Sequence, residues 1–280
     1  MHFGGYEIVN RYEGSSVAIL PVPYDETSTY MKGADNGPAA ILEASPNLEY
    51  YDIETRTDIR SHGIFTCEPV LEKNSPEALA DEVERKVLQI LSDHKFPVVI
   101  GGNHTVSIGA IRAVAKRVDD LSVLQLDAHS DLRDEYEGSR LNHACAMARA
   151  REVAQVVQVG IRSMAEEELK NADWNRIFPS HELYYDKSLY DMAIRMLRTN
   201  VYVTIDLDVF DPSIMPSTGT PEPGGPEYME LMHFLRKVSR ERNIVGFDVV
   251  ELCPNPSDRM PDFVAAKVVY QLLSYIFSLR

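Results

Sequence analysis

Short apolar, β-rich runs alternate along the chain with stretches of helical periodicity. This alternation restricts the fold more than any other feature. The candidate strands cover 16–21, 96–100, 122–126, 156–160, 201–207 and 244–250. The candidate helices cover 76–92, 107–117, 188–198, 226–240 and 262–278. Pro76, Pro226 and Pro261 fall near helix starts, where a missing N–H costs nothing. Strand–helix–strand order predicts a three-layer α/β/α architecture, with a central, mostly parallel sheet covered on both faces. No linker, repeat or low-complexity segment interrupts the 280 residues, so one domain over 1–280 is expected.

Four of these strands run directly into polar residues. The strand at 96–100 enters Gly-Gly-Asn-His, with His104; that at 122–126 enters Asp127-Ala-His129-Ser-Asp131. The strand at 201–207 carries Asp206 and is followed by Asp208, and 244–250 is followed by Glu251. Ligands of parallel sheets bind at the carboxyl ends of strands, so the four ends are expected to meet at one crevice. In extended chain, residues i, i+2 and i+4 face one side, which would turn Asp127, His129 and Asp131 into the same cavity. Asp206 and Asp208 repeat the spacing. Four clustered carboxylates repel unless cations neutralise them, and an oxygen-and-nitrogen donor set suits Mn²⁺ better than a thiolate-rich zinc site. Six side chains are too few for two separate six-coordinate ions, so some carboxylates should bridge, with room for a shared water. Two close metals acidify such a water, which points to a dinuclear hydrolase. A lone Asp-x-Asp, or a lone His after Gly-Gly-Asn, would more often be loop or packing; the combination at strand ends carries the reading.

The formal net charge of −15 disfavours nucleic acid and anionic membranes and favours a small cationic partner. Cys67, Cys145 and Cys253 form no CxxC pair, as expected for a reducing, cytoplasmic setting. The N-terminus, with Glu7 and Glu13, lacks the apolar core of a signal peptide. The longest apolar stretch, 263–279, contains Lys267, Gln271 and Ser274 and reads as a core helix rather than a membrane span.

Taken in order, the four blocks resemble those of the ureohydrolase family of arginases and agmatinases. The likeness covers nearly the whole chain. Gly-Gly-Asn-His at 101–104 is similar to the family's Gly-Gly-Asp-His, and 127–131 to its Asp-Ala-His-x-Asp. Ile-Asp-Leu-Asp at 205–208, with Asp211-Pro212 and 219–225 after it, resembles the third block, and Asp-Val-Val-Glu at 248–251 the last. The resemblance implies an arginase-like fold and two Mn²⁺ per subunit. One ion would be held by His104, Asp127, Asp131 and Asp206, the other by Asp127, His129, Asp206 and Asp208. It also implies a shared hydroxide attacking the guanidinium carbon. Asp131 would orient that hydroxide and carry its proton to the leaving amine. Glu251 would grip the guanidinium, and His143 would shuttle protons or position substrate. Relatives form trimers or hexamers, so a homo-oligomer is expected.

The segment 132–147, with Asp134, Tyr136 and Gly138, resembles agmatinases rather than arginases, as does 23–41. The substrate expected is agmatine, converted to urea and putrescine in polyamine biosynthesis, with Asp134, Glu135 and Glu137 forming an acidic mouth for its distal amine. Aminopropylagmatine, guanidinobutyrate and arginine are the alternatives, because His-Ala-Cys-Ala at 143–146 departs from the agmatinase His-Gly-Thr. Asn103 also departs from the motif and is expected to orient His104. A non-catalytic relative should have lost ligands, yet all six remain. A dinuclear phosphoesterase should carry basic residues beside the motifs, where only Arg133 and Arg140 occur.

Overall fold

Alternate residues of the strands feed two separate cores. In β1 (Val17–Val22), Val17 and Ile19 join one and Ala18, Leu20 and Val22 the other. That is the period-2 signature of a sheet buried on both faces. The computed structural model describes residues 1–5, 8 and 11–278. Glu7 and Leu279, which entered the readings of the two ends, lie outside the described residues.

After β1 come α1 (Gly37–Ala44), β2 (Ile64–Thr66), α2 (Pro76–Ser92), β3 (Phe96–Gly101), α3 (Thr105–Ala115) and β4 (Leu121–Leu126). The middle of the chain gives α4 (Ala146–Ala150), β5 (Gln155–Ile161), β6 (Ile177–Pro179), α5 (Ser180–Tyr185) and α6 (Ser188–Met196). The last third adds β7 (Asn200–Asp206), α7 (Tyr228–Glu241), β8 (Asn243–Val250) and α8 (Met260–Ser278). Among the described residues, all eight strands are parallel, in the order β2-β1-β3-β8-β7-β4-β5-β6. Helices α2, α3 and α4 cover one face, and α1 with α5 to α8 cover the other. The three-layer architecture is therefore as expected, with the sheet wholly parallel.

The four strands expected to converge are the four consecutive central ones, β3-β8-β7-β4. Their ends are level: Ile100 pairs with Val249, Val249 with Ile205, and Ile205 with Leu126. The six expected strands all occur, with small shifts at their ends. The sequence reading missed β2 and β6, edge strands of three residues, and the short helices α1, α4 and α5; each is too brief to establish a period. Helix α3 begins at Thr105 rather than 107, because His104 already takes helical dihedrals as its N-cap. Helix α7 begins at Tyr228, since Glu227 is extended, so Pro226 precedes the helix rather than opening it. Among the described residues, no helix is long and apolar enough to cross a membrane.

Candidate active site

Beyond β3 the chain turns through Gly102 into α3. Gly102 lies against the backbone of Tyr24, where an added Cβ would come within 2.0 Å of the Tyr24 carbonyl oxygen. Only glycine fits that approach, and it sets His104 at the floor of the cleft. The Glu251 side chain secures the same turn, with Oε1 accepting from the His104 N–H at 2.7 Å.

The His104 ring is buried. Its Nε2 lies 2.8 Å from Thr204 Oγ1, and the Thr204 hydroxyl donates to Asp248 Oδ1 at 2.5 Å. Asp248 Oδ2 accepts from Tyr202 OH at 2.7 Å. Because the Thr204 proton is given to Asp248, its oxygen accepts from His104, so Nε2 carries the ring proton. In the neutral ring Nδ1 is then a lone pair. It has no hydrogen-bond partner, yet it stands 3.1 Å from Asp127 Oδ2, 3.1 Å from Asp131 Oδ2 and 3.4 Å from Asp206 Oδ2. A lone pair facing three carboxylate oxygens is repulsive unless a positive charge lies among them.

A second group adjoins the first. His129 Nδ1 is 2.8 Å from Asp208 Oδ2 and 3.7 Å from Asp127 Oδ1. Donor atoms of His104, Asp127 and Asp206 lie within 4.8 Å of one another, as do those of Asp127, His129 and Asp208, so Asp127 is common to both. Backbone amides fix the carboxylates: Asp127 Oδ1 accepts from His129 N (2.6 Å), Asp208 Oδ1 from Ala128 N (3.0 Å), and Asp206 Oδ1 from Asp208 N (2.9 Å). The donor set fits two divalent cations of the oxygen-and-nitrogen class.

Proton affinities carry the same message. Burial raises Asp127 to about 7, helped by Asp208 and Asp131. Burial, Asp208 and Asp127 raise Asp206 well above the carboxylate range. Burial alone would lower both imidazoles, but the carboxylates of Asp127, Asp131 and Asp206 beside Nδ1 lift His104 well above its usual value, and Asp208 lifts His129 to about 10. Burial opposes Asp208 ionisation, yet the His129 charge brings it down to about 2. Without cations, the cluster holds itself together with protons.

The structure brings all the expected site residues to one place. Asp131, His129, His143, Asp206, Asp208 and Glu251 line a cleft of about 250 Å³, and the buried His104 and Asp127 lie beneath it, beside the lining residues Asp131, Asp206 and His129. Burial raises Glu251 to about 8 and lowers His143, whose Nδ1 is buried without a partner.

Three expectations need correction. The segment 127–131 has left the strand, with Asp131 at φ 51°, and Asp208 sits in a 3-10 turn, so local turns rather than an extended i, i+2, i+4 pattern aim Asp131 and Asp208. Asp134, Glu135 and Glu137 do not line the cleft. Asp134 instead pairs with Lys170 at 2.8 Å, while Arg133, Tyr136 and the buried Glu168 form that wall. The Arg133 guanidinium lies 4.3 Å from the Tyr136 ring centroid and bonds Glu167 at 2.6 Å. The Asn103 amide donates to Thr27 and Ser28, while the His104 ring nitrogens face Thr204 and the carboxylates. Sequence reasoning also missed Thr204, Asp248 and Gln125, whose Nε2 donates to Asp127 Oδ2 at 2.7 Å. Their signal was present: Thr204 and Gln125 are polar residues inside apolar strands, two positions before Asp206 and Asp127, hence on the same face.

A profile of the arginase family matches residues 15–274. The chain belongs to the arginase family. Family members similar to it include the N(1)-aminopropylagmatine ureohydrolase of a Synechocystis species, 38% identical, with 96% of this chain and 92% of that protein aligned. The agmatinase of Pyrococcus horikoshii is 33% identical, over 91% of this chain and 90% of its own. Among solved structures, the agmatine ureohydrolase of Thermoplasma volcanium superposes with a TM-score of 0.89 at 30% identity, covering 98% of this chain and 94% of that one. The chain is thus an arginase-family hydrolase of the ureohydrolase type.

Proposed function

We propose that the protein releases urea from a guanidino compound bearing a distal amine, with agmatine the first substrate. The observation that carries this is the unpartnered His104 Nδ1 amid three carboxylates, on the floor of a cleft walled by Glu251 and His143. His104, Asp127, Asp131 and Asp206 would hold one Mn²⁺, and Asp127, His129, Asp206 and Asp208 the other. When bound, the pair offsets four carboxylates and supplies a nucleophilic water at near-neutral pH.

The chain's own groups then divide the work. Glu251 gives Oε1 to the His104 amide, and its other oxygen is available to a guanidinium N–H. A substrate cation beside Glu251 would stabilise its ionised form against burial. Asp131 orients the nucleophile and passes its proton to the leaving amine. His143, held neutral by burial, can accept or relay a proton at the cleft wall. Arg133, the cation of the lining, is engaged by Glu167 and Tyr136, which leaves the site without a free anion clamp among the described residues and favours a cationic substrate.

A second reading is N(1)-aminopropylagmatine, favoured by the 38% identity to the Synechocystis enzyme against 33% to the Pyrococcus agmatinase. The proposal extends to a homo-oligomer working in the cytoplasm. The test is kcat/KM for urea release by Mn²⁺-loaded protein from agmatine, N(1)-aminopropylagmatine, guanidinobutyrate and arginine. Agmatine or its aminopropyl derivative should lead. Arginine as the best substrate would refute the substrate reading, and no urea from any of the four would refute the activity.

A further inference from the structure

The departure from the family motif at Asn103 has a counterpart in the cleft wall. The Asn103 side chain is fully buried. Its Nδ2 donates to Thr27 Oγ1 (2.6 Å) and Ser28 Oγ (3.1 Å), and its Oδ1 accepts from the Thr105 N–H (3.3 Å). A hydroxyl has a single proton, and Ser28 gives its own to Asp25 Oδ1. Toward residue 103, Ser28 can therefore only accept. Asp25, also buried, accepts from the Gly33 N–H at 2.6 Å with Oδ2. The bonds run one way, from Asn103 through Ser28 to Asp25. Between the two ends of this chain, Ser28, Thr29, Tyr30 and Met31 border the cleft.

We propose that Asn103 and Asp25 are a matched pair of positioning residues that, through Ser28, hold residues 25–33 in place as a wall of the substrate cleft. In this chain the amide at 103 complements the carboxylate at 25, with Ser28 between them. An aspartate at 103 would have no N–H to offer, and Ser28 could satisfy only one of two buried carboxylates. Asparagine at 25 fails in mirror image. The Gly33 N–H retains its oxygen, its amide then points at Ser28, and the Ser28 proton is left without an acceptor. Exchanging both residues reverses the whole chain: the amide now at position 25 donates to Ser28, and Ser28 donates to the carboxylate now at position 103. The Thr27 and Thr105 hydroxyls, 2.8 Å apart with either able to donate, can turn to match.

The inference rests on the cleft being the substrate site, so the test carries a readout that needs no substrate. Asp25→Asn, Asn103→Asp and the double variant are compared by hydrogen exchange over residues 25–33 in metal-free protein, and by KM and kcat for urea release from agmatine. For the loss of one buried hydrogen bond, each single variant should exchange about tenfold faster and show a KM raised about tenfold, with kcat within about threefold. The double variant should return to within about threefold of the parent on both measures. If a single variant does not fold, recovery of its melting transition in the double variant is the same result. A double variant no better than the worse single variant overturns the pairing. So does a fall in kcat with weakened Mn²⁺ binding at unchanged KM, because the effect would then run through His104. A parent protein that releases no urea would sink the reading of the cleft, while the exchange data would still decide the clamp.

Discussion

Asp131 and Glu251 share a backbone conformation that side chains other than glycine seldom adopt, with φ of 51° and 67°. Left-handed dihedrals at non-glycine residues cost energy and persist where the surroundings dictate them. Each is the residue to which proton transfer or guanidinium binding is assigned. Both lie beyond the ends of their strands, and both line the cleft. Asparagine tolerates the left-handed region, so Asp131→Asn should keep the melting temperature near that of the parent while lowering kcat by about 10²- to 10⁴-fold. Turnover close to the parent's would remove Asp131 from its assigned role. The identities of the site residues were legible in the sequence because carboxylates and imidazoles at strand ends are chemically conspicuous. Their aim was not, because it depends on single φ angles that residue type does not specify.

Element scale explains why His104 can present a bare Nδ1. Strands β7 and β8 supply Thr204 and Asp248, which take up the opposite side of the ring from within the sheet. Such supporting contacts fix a histidine's tautomer and tune its affinity for a cation. Thr204→Val keeps the shape and removes the acceptor, and should weaken Mn²⁺ binding by about 10- to 100-fold, measured by calorimetry; unchanged affinity would dismiss the relay. The long elements were readable from periodicity, and α2 was read to the residue. Edge strands β2 and β6 were not, since three residues hold no pattern and their pairing is dictated by neighbours. The pairing of Asn103 with Asp25 was equally hidden, because two segments far apart in the chain meet only once the sheet has formed.

Over the whole molecule, the proton-loaded cluster makes stability depend on pH. Asp127, raised from 3.8 to about 7, Glu251, raised from 4.5 to about 8, and His129, raised from 6.5 to about 10, all bind protons more tightly folded than unfolded. The stability they contribute is complete below their ordinary values and is lost as pH rises through the raised ones. Asp208, lowered to about 2, acts oppositely, its share being lost only as pH falls through that value. Metal-free protein should therefore melt at progressively lower temperature from about pH 6 to about pH 9. Mn²⁺ should flatten the decline and release protons as it binds, seen as heat that varies with the buffer. A metal-free melting temperature that climbs over that interval would contradict the assigned protonation. The order of strands across the sheet has a consequence for biosynthesis. β7 and β8 follow the other six strands in sequence yet sit between β3 and β4, so a ribosome must deliver the chain through residue 250 before the two halves of the cation cage can meet. A nascent chain lacking β7 and β8 would have a gap where the middle of its sheet belongs, and metal uptake would register that the gap has been filled.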